Sequence, residues 1–192
     1  MKEQLQKYLI RYAEFTDHEI ELIYNTCTKQ IYQKKQFLIE QNHVCKYKYF
    51  ILKGLVRQFR MEENGNENIS AFGIENWWIT NLDSFVNKTP TINSIQAIEE
   101  TTVLQITNTQ LEDLYVKVPQ LERVFRIIAE NTLIALQRKD EIYMKKSSKE
   151  RYFILVAQIP DFAQRVPQYM IASYLDITPE YLSEIRKKGN QN

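Results

Sequence analysis

The sequence predicts an α+β fold: N-terminal helices, a small β-roll, one long helix and a small C-terminal helical unit. Three observations predict it. Apolar residues recur at helical spacing in residues 1–28 and again beyond residue 108. Between these stretches, residues 29–107 contain short apolar runs separated by polar or glycine residues, which is typical of strands. The 192 residues are 44% hydrophobic and 26% charged, which is ordinary for a folded protein.

The first 28 residues predict two helices. Leu5, Leu9 and Ile10 follow helical spacing. Thr16 and Glu19 match a capping box, in which each side chain bonds the backbone N–H of the other. We therefore expect the second helix to begin directly after Thr16.

The central region predicts a barrel or roll of short strands. Asn64 and Gly65 accept positive φ values, so we expect a tight two-residue hairpin turn there. Gly54 indicates another tight turn. The strands are expected at residues 37–39, 47–52, 55–61, 69–72, 95–98 and 103–106.

A short helix capped by Asn108 or Thr109 and ended by Pro119 precedes a long helix over about 119–144. Apolar residues in the long helix alternate at spacings of four and three, as in a coiled-coil seam. Ile127, Leu133, Ile134 and Leu136 widen its apolar surface. We favour a dimerisation helix over the alternative, one amphipathic helix packed on its own barrel. The seam residues are Leu121, Phe125, Ile128, Thr132, Ala135 and Ile142.

The C-terminal part predicts a helix-turn-helix after a hinge at residues 145–149. Ala172 is small enough for two helices to cross closely, and Asp176 tolerates the left-handed backbone of the turn. Ile177, Leu182 and Ile185 are expected to point inward.

The second helix of this motif would present its outward face to the major groove of DNA. Thr178 suits the N-cap and Pro179 the first helical position. Two glutamates oppose phosphate contact, although a carboxylate can accept from cytosine. From residue 138 onward there are 10 Lys/Arg and 7 Asp/Glu residues, against 15 and 17 before it, so the C-terminal part is mildly basic. The candidate DNA-binding residues are Tyr169, Thr178, Pro179, Glu180, Tyr181, Ser183, Glu184, Arg186, Lys187 and Lys188.

This order of parts resembles the Crp/Fnr family of bacterial transcription regulators. The strongest local matches are residues 49–54 with the following hairpin, and residues 171–185. The resemblance implies a cyclic-nucleotide-binding-type, double-stranded, jelly-roll-like β-roll at residues 1–118, a dimerisation helix at 119–145 and a DNA-binding domain at 146–192. Family members continue into a β-hairpin wing, whereas this sequence stops four residues after Lys188, so we expect no full wing.

The effector pocket departs from the pattern that the family's cAMP-binding members carry. Their Gly-Glu and Arg-Ser pairs align with Thr80-Asn81 and Thr91-Ile92, so no cationic fork remains for a cyclic phosphate. We therefore predict no cAMP binding. Trp77, Trp78 and Phe85 are expected to make this region apolar, either filling the pocket or binding a different small molecule; we favour filling.

Metal and cofactor sites have little support. The two cysteines and two histidines do not form a zinc pattern, and the four cysteines of the family's iron–sulfur branch are missing. No run approaches the ~18 apolar residues of a membrane span, and the charged N-terminus is unlike a signal peptide.

The sequence thus predicts a cytoplasmic, homodimeric transcription regulator without catalytic activity. Its candidate partners are double-stranded DNA, an unidentified small-molecule effector and RNA polymerase. Two rivals are a β-roll sensor that signals through protein contacts without binding DNA, and a metal-dependent enzyme with a cupin-like barrel. The missing wing, Glu180 and Glu184 favour the β-roll sensor. The metal-dependent enzyme is disfavoured because such barrels hold their metal with clustered histidines and carboxylates, and this one has a single histidine, His43.

Overall fold

The computed structural model describes residues 1–159 and 161–189. Within them, helices surround two small sheets. The helices are α1 (Lys2–Leu9), α2 (Asp17–Thr26), α3 (Leu82–Asn87), α4 (Asn108–Lys117), α5 (Gln120–Lys145), α6 (Ser148–Gln158), α7 (Phe162–Arg165), α8 (Gln168–Leu175) and α9 (Pro179–Gly189). The strands are β1 (Thr28–Tyr32), β2 (Phe37–Ile39), β3 (Tyr47–Lys53), β4 (Val56–Met61), β5 (Glu67–Gly73), β6 (Trp78–Ile79), β7 (Ser94–Ala97) and β8 (Thr101–Thr107).

Two antiparallel four-stranded sheets form the roll. Their strand orders are β1-β8-β3-β6 and β2-β7-β4-β5. Tyr49 of β3 joins the two sheets because its buried hydroxyl donates to the carbonyl of Leu38 in β2, at 2.7 Å. The α+β roll predicted from the sequence is therefore confirmed.

The outer face of the first sheet is covered by helices. Phe50 of β3 packs against Tyr8 of α1, with ring centroids 5.2 Å apart. Trp78 of β6 packs against Phe125 of α5 at 5.0 Å. These rings belong to one core that runs from the roll into the first turns of α5.

A second core joins the roll to α6–α9, which we call the C-terminal segment. Phe72 of β5 meets Phe162 of α7 edge-on, with centroids 4.9 Å apart. Ile69 of β5 and Ile171 of α8 are also buried in this core. The helical segment therefore packs on the roll instead of standing apart from it.

Most predicted elements are present, with local corrections. The capping box at Thr16 is confirmed. The hairpin after β4 exists, but only Gly65 of its central pair has a positive φ, +81°, because the loop spans residues 62–66 and needs a single left-handed residue. Thr107, not Asn108 or Thr109, caps α4, because Gln110 completes a capping box with it.

Four elements lack a sequence prediction: β1, β6, α3 and α7. Each is short or, in the case of β1, mostly exposed, so no apolar period identifies it. The sequence also predicts a helix over residues 151–159 that ends at Pro160, and α6 agrees with it, but Pro160 itself lies outside the described residues. Residues 190–192, which follow α9 where a wing would begin, lie outside them too.

Candidate nucleic-acid interface and effector region

Helices α8 and α9 form the predicted helix-turn-helix. Ala172 is fully buried where the helices cross, and Asp176 takes the left-handed conformation, φ 55° and ψ 51°. Ile177 donates its backbone N–H to the carbonyl of Ala172 at 3.1 Å, which closes the turn. Leu182 and Ile185 are buried at 0% and 3% exposure, so the inward face of α9 is as predicted.

The opposite face of α9 is open. Thr178 accepts a hydrogen bond from the backbone N–H of Tyr181 at 3.2 Å, as an N-cap residue does. Tyr181 is 47% exposed and Tyr169, on α8, is 53% exposed. We call the following set the recognition face: Tyr169, Thr178, Pro179, Glu180, Tyr181, Ser183, Glu184, Arg186, Lys187 and Lys188. Ser183 and Arg186 are half-buried and the others are exposed.

Charge is divided along α9. Glu180 lies in its first turn, whereas Arg186, Lys187 and Lys188 lie in its last turn. Both placements suit the helix dipole. The basic end can reach phosphates, and the acidic start restricts which bases the helix tolerates.

Helix α8 is held on the edge strand β5 by a side chain. The hydroxyl of Ser173 donates to the carbonyl of Glu67 at 2.6 Å and accepts from the N–H of Ile69 at 3.1 Å. Edge-strand groups that would otherwise be free are thereby paired with the C-terminal segment. This contact is one of those that join the helix-turn-helix to the roll.

A cleft of about 570 Å³ lies between β5, the end of α5 and α8. Lys139 crosses it, donating to the carbonyl of Ser70 at 3.2 Å with its amine 4.3 Å from the ring centre of Tyr174. Burial lowers the pKa of Lys139 against the opposing effect of Asp140. Tyr143 donates its hydroxyl to the carbonyl of Tyr174 at 2.6 Å, so α5 and α8 are joined directly.

The polar side chains of the predicted effector residues form hydrogen bonds within the chain. Thr80 donates to the carbonyl of Tyr47 at 3.0 Å, and Asn81 caps α3 by accepting from the N–H of Ser84 at 3.0 Å. Thr91 is 3% exposed and donates to the carbonyl of Asn93 at 3.1 Å. These hydrogen bonds stabilise the loop around α3. None of the four aligned residues carries a positive charge.

The two tryptophans of that region do not fill the pocket as the sequence predicts, whereas Phe85 is buried. Trp77 is 47% exposed and Ile92 is 60% exposed. Trp78 packs on Phe50 and Phe125, on the helix-covered face of the first sheet. Neither tryptophan therefore fills the space between the sheets.

Sequence reasoning missed Lys48, a lysine at the start of β3. Its amine lies 4.5 Å from the ring centre of Phe125 and 5.5 Å from that of Phe85. Burial lowers its pKa to about 8, against the opposing charge of Glu112. A lysine within an alternating strand is ordinarily read as solvent-facing, so no signal in the sequence indicated this position.

The predicted seam of α5 divides into two parts. Leu121 and Phe125 are buried in the core of their own subunit at 1% and 8% exposure, so they are unavailable to a partner, contrary to the seam prediction. Ile128 and Ile142 are half-buried, while Thr132 and Ala135 are exposed. The large apolar side chains left open in the middle of α5 are Leu133 at 58%, Ile134 at 42% and Leu136 at 55% exposure.

Within residues 1–159 and 161–189, no three His, Cys, Asp or Glu side chains come together in a way that could hold a metal ion. Over the same residues, no helix combines the length and apolar character needed to cross a bilayer.

Comparisons with known proteins agree with this architecture. The family model for the cyclic nucleotide-binding domain matches residues 29–117. Transcriptional activator protein Anr of Pseudomonas protegens is 22% identical over 171 residues, covering 83% of this chain and 69% of its own. Regulatory protein HlyX of Actinobacillus pleuropneumoniae is 22% identical over 182 residues, covering 88% and 75%.

Solved structures show the same fold. FixK2 from Bradyrhizobium japonicum superposes with a TM-score of 0.73 at 19% identity, covering 86% of this chain and 85% of its own. A CooA mutant from Carboxydothermus hydrogenoformans superposes at 0.71 with 17% identity, covering 95% and 83%.

Proposed function

We propose, since this chain belongs to the Crp/Fnr family of transcription regulators, that it binds DNA as a homodimer through α9. The resemblance drawn from the sequence is confirmed by that membership. One observation supports DNA binding above all others: the inward residues of α9 are buried while its recognition face is open. A helix held in this way can enter a major groove without unfolding.

The proposed division of the chain follows its elements. Residues 1–118 form the sensor domain, 119–145 the dimerisation helix and 146–192 the DNA-binding domain. Two copies paired along the middle of α5 would carry two recognition faces about one helical turn of DNA apart, so the target site is expected to be nearly palindromic. The setting is the bacterial cytoplasm, with RNA polymerase as a further partner.

The effector is proposed to be something other than cAMP. A cyclic phosphate needs a cationic fork, and Thr91 and Ile92 supply none. The hydroxyls of Thr80 and Thr91 already bond backbone carbonyls, so they would have to break internal hydrogen bonds to contact a ligand.

The test is DNA binding to genomic fragments at several salt concentrations. A variant carrying Lys187→Ala and Lys188→Ala should bind more weakly. Because the dimer loses two lysines in each of two subunits, the slope of log affinity against log salt should fall by about four. The control carries Lys29→Ala and Lys34→Ala, which removes two exposed charges from the roll. Its affinity and slope should match the unmodified protein.

A second candidate is a β-roll sensor that signals through protein contacts. Glu180 and Glu184, both exposed on the recognition face, favour it because phosphates repel them. Absence of any saturable, salt-sensitive DNA binding would reject the first proposal and leave this one. Equal salt slopes for both double variants would contradict a role of the basic end of α9.

A further inference from the structure

Arg165, at the end of α7, bridges the C-terminal segment to two carboxylates of the roll. Its guanidinium makes a two-pronged contact with Glu75, at 3.1 and 2.7 Å. The same side chain reaches Glu99 at 2.5 Å. We call these three residues the Arg165 cluster. Bidentate pairing fixes geometry as well as distance, so the cluster ties α7 to one orientation.

Glu75 is itself anchored in the roll. It accepts a hydrogen bond from the backbone N–H of Gly54 at 2.8 Å. Gly54 has φ +104°, and a Cβ there would lie 2.6 Å from Oγ1 of Thr101, so only glycine fits at this turn. Burial raises the pKa of Glu75, but the hydrogen bonds from Arg165 and Gly54 outweigh it, so the pKa lies below its usual range. The carboxylate is therefore ionised at neutral pH.

Each carboxylate of the cluster is joined by one strand to one segment of the effector region. Glu75 lies in the turn three residues before β6, and β6 runs directly into Thr80 and Asn81. Glu99 follows β7, which begins after the segment containing Thr91. The two strands belong to different sheets, so a single arginine of the C-terminal segment receives one connection from each sheet.

Both connecting strands are paired along their length. β6 pairs with β3, where Phe50 lies opposite Trp78, and β7 pairs with β4 and β2. A paired strand resists sideways bending, so a shift at one end is transferred to the other. A change around α3 would therefore move Glu75 and Glu99 relative to Arg165.

The cluster is also weak enough to open. The side chains of Arg165, Glu75 and Glu99 are 25%, 31% and 37% exposed. Ion pairs with this much solvent contact contribute modestly to stability, unlike fully buried pairs. Small differences in geometry can therefore decide whether the cluster is closed.

We propose that the Arg165 cluster is the contact through which the effector region sets the position of the helix-turn-helix. Occupancy or rearrangement at Thr80-Asn81 or Thr91 displaces one carboxylate, releases Arg165 and shifts the equilibrium of α7 and α8 toward detachment from the roll. This inference rests on the proposed function for its biological meaning. The contact itself is testable without DNA.

The experiment is hydrogen exchange of the free, full-length protein, followed by mass spectrometry. Arg165→Gln should speed exchange in α7, in α8 and at the Ile69 amide of β5, which donates to Ser173, by about five-fold, the equilibrium change expected for one partly exposed ion pair. Arg165→Lys retains the charge without the fork and should give a smaller increase. Arg60→Gln breaks the exposed Arg60–Glu62 pair of the roll and should leave these amides unchanged.

The connection to the effector region needs a second variant. Asn81→Ala removes the cap of α3 and, where Arg165 is intact, should speed hydrogen exchange in α8. In the Arg165→Gln background it should add nothing there, because the contact that transmits the change is already gone. Equal increments in both backgrounds would overturn the proposal, and so would an Arg165→Gln protein that exchanges like the unmodified one.

The outcomes separate the two proposals. A protein that fails to bind DNA but gives the expected exchange pattern retains the Arg165 cluster as an interdomain contact and rejects only the DNA-binding function. A protein that binds DNA but whose exchange is insensitive to Arg165→Gln rejects only the cluster.

Discussion

Replacing Leu133 and Leu136 by glutamine is expected to dissociate the proposed dimer. Full burial of a leucine side chain contributes about 1.5–3 kcal/mol. These two residues are 58% and 55% exposed in one subunit, so roughly half of that gain, about 1 kcal/mol each, remains for a partner to supply. Two residues in each of two subunits amount to about 4 kcal/mol, or about a thousand-fold in the dimer dissociation constant. Glutamine retains good helix propensity, so α5 should persist.

Sedimentation velocity over a range of concentrations measures this change. The control carries Leu82→Gln and Val116→Gln, which are 57% and 83% exposed but lie on α3 and α4. It should dimerise like the unmodified protein. The reasoning is refuted if the unmodified protein is monomeric at every concentration, or if the α5 variant dimerises as tightly as the control.

Three further outcomes are expected. Titration calorimetry with cAMP should give no saturable heat, and one molecule bound per subunit would contradict the account of the effector region. Arg57→Met should lower the free energy of unfolding, measured in urea, by about 3 kcal/mol, because it leaves Glu67 and Gln96 without their partner at a site where Arg57 is 4% exposed. Adding Glu67→Leu should recover most of that loss, and no recovery would contradict this explanation. The pKa of Lys48 is about 8 in the folded state, below its unfolded value, so the unfolded state binds more protons between about pH 8 and 10.5 and the free energy of unfolding should rise with pH there. Lys48→Met should abolish that rise and raise the free energy of unfolding at pH 7 by about 2 kcal/mol. An unchanged pH profile in this variant would contradict the argument.

The sequence predicted the elements whose signals are local. The capping box at Thr16 requires only two side chains three residues apart, and the turn at Asp176 requires one residue that tolerates a left-handed backbone. Likewise, the inward positions Leu182 and Ile185 follow from helical period alone. Such features are set by neighbours along the chain, so pattern reasoning can find them.

The features it missed depend on distant partners. Arg165 meets Glu75 ninety residues away, and nothing near either residue indicates the pairing. Leu121 and Phe125 match a seam pattern, yet the roll buries them first, because a helix period identifies an apolar face without identifying what covers it. Trp77 is expected to fill the effector pocket because it is apolar and aligns near it, yet it is exposed, since an alignment does not show which way a side chain points.

The hydrogen bonds from Ser173 to β5 carry a consequence for any release of α8. If the helix leaves, the N–H of Ile69 and the carbonyl of Glu67 become a bare strand edge beside the newly wetted rings of Phe59 and Phe72. Bare edges next to apolar surface recruit strands from other molecules. A helix-turn-helix detached from β5 would therefore expose a surface that promotes self-association, unless the state is short-lived or bound to DNA. Variants that open this interface should precipitate before they lose their secondary structure.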